Sequence, residues 1–264
     1  MRLILHAGTH KTGTTSIQKA LYEHRDYLRE HGLYSPFAET FTTPKKSKKD
    51  YRLTRALLKY AGSFGLKGLL NATLDPFIGS RAHLNLSHLI ADNTTQSTRS
   101  VERFFDEVRR NMRDGETIIL SSEAIYRHVL GTRVLSAMLA PDYFQNRQRY
   151  LEALREFLVG FDTEVVLYVR DYGYFLSWLR RALEREGAWS GSGKEFKVQY
   201  SEHFAYEKQI ALFQEFFPKV IVHSYEEAKA ESLIAHFFRS IGFPVPPGAE
   251  TIWERPTKRP IKPL

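Results

Sequence analysis

The strongest chemical signal lies near the start of the chain, in Gly8-Thr9-His10-Lys11-Thr12-Gly13-Thr14-Thr15-Ser16. An apolar run, Leu3-Ile4-Leu5, leads into it. The order reads as a short buried strand, a glycine-bounded loop and a helix start. Such a loop turns backbone N–H groups and a helix N-terminus toward one point, which suits a phosphate or similar anion. The nucleoside-triphosphate loop Gly-x-x-x-x-Gly-Lys-Ser/Thr has its lysine directly after the second glycine, in reach of the β- and γ-phosphates. Here Gly8 and Gly13 keep that separation and Thr15 holds the Ser/Thr position, but Thr14 follows the second glycine. The lysine, Lys11, has moved inside the loop. There it can neutralise an oxygen between a terminal phosphate and a transferred group.

Two further polar residues stand at the ends of apolar runs. Thr117-Ile118-Ile119-Leu120 runs into Ser121-Ser122-Glu123, and Val165-Val166-Leu167-Tyr168-Val169 ends at Arg170. Lys11, Glu123 and Arg170 therefore each follow a buried strand. Among the histidines, His6 ends a strand and reads as structural. His10 lies in the loop and can touch a departing phosphate. His88, in Leu86-Ser87-His88-Leu89, is a rival base to Glu123.

The elements that must position these residues follow from hydrophobic periodicity. Strands are expected at Arg2 to His6, Leu33 to Ser35, Thr117 to Leu120, Glu164 to Val169 and Val220 to His223. One helix is expected from Thr14 to about His31, with Ile17, Ala20, Leu21 and Leu28 on its apolar side and Gly32 as C-cap. Others are expected from Ser100 to about Met112, Gln145 to Val159, Tyr174 to Glu186, Phe204 to Phe217 and Tyr225 to Ile241. Asp114-Gly115 reads as a turn and Gly187 to Lys194 as a flexible loop. Residues 36–100 are the least legible, with one helix near Leu53 to Tyr60, and read as a variable insert that covers a substrate site. Short apolar strands separated by helices predict an α/β fold: a three-layer parallel sheet with helices on both faces. Ligands in such sheets bind beyond the carboxyl ends of the strands. No linker divides the chain, so one domain over 1–264 is expected.

With 264 residues, 42% hydrophobic and 13% aromatic, the chain can bury a sizeable core. No apolar run approaches the roughly 20 residues of a membrane helix, and the short apolar stretch at the start gives no expectation of a signal peptide. The absence of cysteine excludes disulfides, a thiolate nucleophile and cysteine-ligated metal. A cytoplasmic location is the expectation. The formal charge of +8 fits anionic small molecules, nucleic acid or a membrane surface. No helix-turn-helix, RNA-recognition or zinc-finger pattern accompanies it, so nucleic acid is not an expected partner. The cluster Lys45, Lys46, Lys48 and Lys49 reads mainly as a solvated loop.

The Gly-x-x-Lys-x-Gly-Thr-Thr loop resembles the 5′-phosphosulfate loop of sulfotransferases that use 3′-phosphoadenosine 5′-phosphosulfate (PAPS). Arg170-Asp171-Tyr172-Gly173-Tyr174-Phe175-Leu176-Ser177 resembles the family's 3′-phosphate motif, in which an arginine ends a strand and a serine follows on the next helix. Ser177 stands one residue closer to Arg170 than the common family spacing, the usual nearby proline is missing, and Arg180 or Arg181 are alternative contributors. Ser121-Ser122-Glu123 is similar to bacterial members of the family, whose glycan-modifying relatives place an acceptor-activating glutamate in this area. Val220 to Gly242 resembles their C-terminal strand-helix unit. The resemblance covers residues 1–35, 117–126, 164–185 and 219–243.

The resemblance implies a sulfotransferase architecture related to P-loop nucleotide-binding folds, and a bacterial-type enzyme. It implies PAPS as co-substrate, PAP (3′-phosphoadenosine 5′-phosphate) as product and no metal. The acceptor would be a hydroxyl or amine on a small molecule, glycan or glycolipid. The 5′-phosphate would meet Lys11, Thr12, Gly13, Thr14, Thr15 and Ser16, and the 3′-phosphate Arg170 and Ser177, with the tail residues Lys258 and Arg259 as further candidates. Lys11 would stabilise the leaving phosphate. Glu123 would take the acceptor proton or position Lys11, with His10 and His88 as rival bases. The alternative is a P-loop kinase or other nucleotide-binding protein using ATP and magnesium. Oligomeric state is not encoded in any motif.

Overall fold

The structure, a computed structural model, describes residues 1–9, 12–39, 82–132, 134–201 and 203–251. The lysine cluster at 45–49, the helix expected near 53–60 and the tail residues Lys258 and Arg259 lie outside them, as do His10 and Lys11.

Strand β1 (Arg2–Gly8) lies at the centre of a five-stranded sheet with β2 (Leu33–Tyr34), β3 (Thr117–Ser121), β4 (Asp162–Val169) and β5 (Lys219–Ser224). The order is β2-β3-β1-β4-β5, with every pairing parallel. Strand side chains alternate between faces, and here both faces are covered. Leu3, Leu5, Ile118, Leu120, Val165 and Leu167 join one core cluster, whereas Ile4, Ile119, Val166 and Tyr168 join another. That is why these strands read as continuous apolar runs rather than as alternating ones.

Helices fill both faces as expected. The first face receives α4 (Ala82–Asp92), α5 (Thr95–Asn111), α6 (Tyr143–Phe157) and α9 (Tyr206–Phe216) through Leu86, Phe105, Leu151 and Phe213. The second receives α1 (Thr14–Glu23), α2 (Arg25–Glu30), α10 (Tyr225–Glu231) and α11 (Leu233–Ser240) through Leu21, Leu28, Ala228 and Phe237. A short α3 (Pro36–Glu39) follows β2. Beyond the sheet, α7 (Tyr172–Arg185) and α8 (Gly193–Tyr200) join a 3₁₀ turn, Leu135–Leu139, in a third apolar cluster. Among the described residues no helix is long and apolar enough to cross a membrane.

Four local expectations change. The helix expected over Thr14 to His31 breaks at His24 (φ −111°, ψ 19°) into α1 and α2. The one expected over Tyr225 to Ile241 divides at Ser232, whose φ of 125° no helix admits. Helix α5 begins at Thr95 rather than Ser100, where the Thr94 side chain accepts the Ser97 N–H at 3.2 Å as N-cap. The loop expected over Gly187 to Lys194 gives way at Gly193 to α8, started by a capping box between Ser192 and Glu195.

Two histidines are locked in the interior. His6 is fully buried, its Nδ1 sharing a 2.8 Å hydrogen bond with Ser121 Oγ. Its structural role is as the sequence suggested. Burial, with His223 adding to it, lowers its pKa to about 3. His128 stacks parallel to His88 at 4.9 Å, and burial followed by the Arg127 charge lowers its pKa to about 3. Both are neutral in the folded chain, while the unfolded chain protonates them near pH 6.5. Their contribution to stability is therefore complete above pH 6.5 and is lost as pH falls toward 3. Each costs roughly 2 kcal/mol at pH 5 relative to pH 7.5, and a chain of this size loses about 2–4 °C of Tm per kcal/mol. Thermal melts from pH 7.5 to 5 are expected to show this fall, and a shallower one in His6→Asn, whose amide keeps a polar atom near the Nδ1 position.

Candidate active site

The sheet order brings the carboxyl ends of β3, β1 and β4 side by side. His6 is in register with Ser121, and Gly8 with Tyr168. Just beyond, the Ser122 N–H donates to His6 O at 2.9 Å and the Thr9 N–H to Tyr168 O at 2.9 Å. From these ends the chain departs in three directions, and a crevice of this kind is where open parallel sheets bind ligands.

The loop after β1 is shaped by its two glycines. A Cβ on Gly8 would lie 2.6 Å from Tyr168 O and 2.9 Å from Thr12 Oγ1. Gly13 has φ 72°, and a Cβ there would lie 2.1 Å from Leu233 Cδ2. Close packing against β4 and α11 thus demands glycine at both positions. Between them, Thr9 and Thr12 are fully buried, and the Thr12 hydroxyl donates to Thr9 O at 2.7 Å. Thr9 Oγ1 in turn accepts the Arg170 N–H at 3.1 Å, tying the loop to the end of β4.

The helix start offers donors to an anion. The Ser16 and Ile17 N–H groups bond back to Gly13 O at 2.8 and 3.1 Å. Ser16 therefore directs its N–H into the turn, and the cradle expected over residues 12 to 16 narrows. Thr14 and Thr15 open the helix, where a backbone N–H has no intrahelical acceptor. Thr14 is 3% exposed, and its Oγ1 has no hydrogen-bond partner among the described residues. A buried hydroxyl without a partner is costly, and a bound anion would satisfy it. Thr15 is exposed. His10 and Lys11 belong to this loop by sequence and lie outside the described residues.

Glu123 opens a 3₁₀ turn, Glu123–Tyr126, directly after β3 and is half-buried. The turn is anchored from behind by Arg147 of α6, which is fully buried. Its guanidinium donates to Ile125 O at 2.6 Å, to His128 O at 2.8 Å and to Gln209 Oε1 at 3.4 Å. The Tyr150 and Phe213 rings lie 5.2 and 5.1 Å from its centre. One side chain thus holds the chain at two points after Glu123. Arg147→Met would strip the donor from the two carbonyls, at about 1–3 kcal/mol each. Urea unfolding is expected to show this loss, together with lower turnover and nucleotide affinity within about threefold of wild type.

Arg170 lies where sequence placed it, at the end of β4, with its side chain 17% exposed. Tyr174 and Tyr225 flank the guanidinium at 4.9 and 5.0 Å. Its Nε is 3.4 Å from Glu226 Oε1, an ion pair that sequence did not foresee for this carboxylate. Ser177, on α7 seven residues after Arg170, is 1% exposed. Of the alternatives, Arg180 pairs with Glu184 and Arg181 is exposed.

Trp178 and Trp189 belong to packing. Trp189 donates its indole N–H to Gly191 O at 2.7 Å and meets Phe196 and Tyr200 edge-on at 5.2 and 5.7 Å. Trp178 packs against the same cluster. His88 packs on His128, as above.

Two residues escaped the sequence reading. Arg147 falls within the stripe Tyr143, Tyr150, Leu151 and Leu154 of α6, and a charge in an apolar stripe was a readable signal. Arg127, next to the 3₁₀ turn, has an Nε buried without a hydrogen-bond partner among the described residues, and burial lowers its pKa. No local pattern marks it.

No protein-family model matches the chain, and no curated protein matches it. Among solved structures, one described as a sulfotransferase from Alicyclobacillus acidocaldarius is similar at 14% identity, with a TM-score of 0.40. The alignment covers 93% of this chain and 83% of that one. A likeness at this level carries no functional argument.

Proposed function

We propose that the protein transfers a sulfuryl group from PAPS to a hydroxyl or amine of a small molecule, glycan or glycolipid. The observation that carries this reading is the glycine-bounded loop after β1, whose buried Thr14 hydroxyl has no partner among the described residues, between the strand ends that bear Glu123 and Arg170. The residues present fit such a donor. Thr14 and Thr15 N–H groups, the Thr14 hydroxyl and Lys11 would hold the 5′-phosphate. Arg170 would hold the 3′-phosphate, charge-assisted. Ser177, which follows on α7, would join it.

PAPS supplies an activated sulfuryl group on a phosphate leaving group. Glu123 takes the proton of the acceptor hydroxyl as the new oxygen–sulfur bond forms. Lys11 holds the charge that collects on the bridging oxygen as the old sulfur–oxygen bond breaks. This is preorganised electrostatic stabilisation, most effective where water is excluded. Lysine and the helix N-terminus supply the positive charge, so the proposal includes no metal.

Thermal-shift titration with PAP in a chelator tests the reading. At a hundredfold excess over Kd, a ligand stabilises by about 2.7 kcal/mol, or about 5–10 °C of Tm at this size. Stabilisation by PAP without metal is expected. Stabilisation by ATP with magnesium and none by PAP would sink the proposal in favour of a kinase.

A further inference from the structure

The Arg170 guanidinium already holds an anion, and that anion comes from the protein. Glu226, on α10, bridges two donors of different origin. Its Oε1 meets Arg170 Nε at 3.4 Å, and its Oε2 accepts the Asp171 N–H, at the start of α7, at 3.0 Å. A two-oxygen anion thus spans a guanidinium and a backbone donor, as a phosphate would.

The two partners differ in freedom. Arg170 is pinned through its backbone on both sides: its N–H donates to Thr9 Oγ1 at 3.1 Å, and its C=O accepts the Tyr206 hydroxyl at 2.9 Å. Its guanidinium lies between the Tyr174 and Tyr225 rings. The Glu226 side chain is 44% exposed. An ion pair this open is a weak one, and Glu226 can swing into solvent while Arg170 stays in place. A phosphate, with more charge and more acceptor oxygens, makes the stronger bonds to the same donors.

We infer that Glu226 is a built-in competitor for the nucleotide's 3′-phosphate: it occupies Arg170 and the Asp171 N–H when no nucleotide is bound and must leave for the phosphate to enter. This rests on the proposed PAPS reading. Glu226 thereby sets donor affinity through the 3′-phosphate alone, favouring release of PAP after transfer. The role opposite to this one is positioning, in which Glu226 aims Arg170 at the phosphate and its loss weakens binding.

Calorimetric titration of Glu226→Gln and Glu226→Ala with PAP and with adenosine 5′-monophosphate, which lacks the 3′-phosphate, separates the two. Glu227→Gln is the control, since it removes the same charge from the next residue of α10, whose side chain faces His236. Both Glu226 variants are expected to bind PAP about 3–10-fold tighter, with the monophosphate unchanged and Glu227→Gln like wild type. Unchanged or weaker PAP binding by folded Glu226 variants overturns the inference and leaves the PAPS reading standing. An equal gain for both nucleotides, or the same gain in Glu227→Gln, also overturns it, because the effect is then general charge. If the wild type binds no PAP, the PAPS reading fails and this inference fails with it.

Discussion

Glu123→Gln is expected to slow sulfuryl transfer by about 10²–10⁴, the range for losing a positioned general base. The substitution keeps shape and hydrogen-bonding size, and removes only the capacity to accept a proton. The surrounding backbone has anchors of its own. Ser122 N–H is held by His6 O, and Arg147 holds the carbonyls of Ile125 and His128. The turn should therefore survive, and PAP affinity should stay within about twofold. The acid limb of the kcat/KM pH profile, which reports the free enzyme's base, should vanish with the carboxylate. Turnover near the wild-type rate would remove Glu123 as base and pass the role to His10 or His88. His88 would then have to act from its stacked position on His128.

Lys11→Ala is expected to cost about 10²–10³ in kcat, typical for one preorganised group at a site of developing charge. Lys11 lies inside the glycine-bounded loop, two residues before Gly13. Its proposed charge partner, the bridging oxygen, becomes most negative only as the sulfur–oxygen bond breaks. The loss should therefore appear mainly in kcat, and less in PAP affinity, which also rests on backbone donors and Arg170. Single-turnover kinetics with saturating PAPS isolate the chemical step. An alanine variant that transfers sulfuryl groups near the wild-type rate would end the proposed role of Lys11, and a variant that only loses PAP affinity would make it a binding residue.

Much of the scaffold was legible because buried strands leave a strong local signature. The strands read from sequence lie within a residue or two of β1 to β5, and Gly32 and Gly115 adopt the positive φ of turn positions. Where the reading failed, the deciding interaction was either a cap or a contact from far along the chain. Ser192 and Glu195 start α8 inside what composition marks as loop. At Ser232 a single residue at φ 125° divides a continuous helical pattern, so that Leu233 of α11 can cover Gly13.

By itself the sequence determined which groups are on offer: a glycine-bounded loop with an internal lysine, a carboxylate after one buried strand and a guanidinium after another. Each of these is a local property, carried by residue type and by a few neighbours. Only the tertiary structure decided that the three strand ends are adjacent, because strand order depends on pairings such as Leu5 with Leu120 and Leu5 with Val165, far apart in the chain. It also decided which partners the charged groups take. Arg147 reaches back to the turn of Glu123, and Glu226 reaches the guanidinium of Arg170 across 56 positions of sequence (226 − 170). A buried or paired charge is tolerated only where the fold brings acceptors to it, and no local pattern of residues states where they will be.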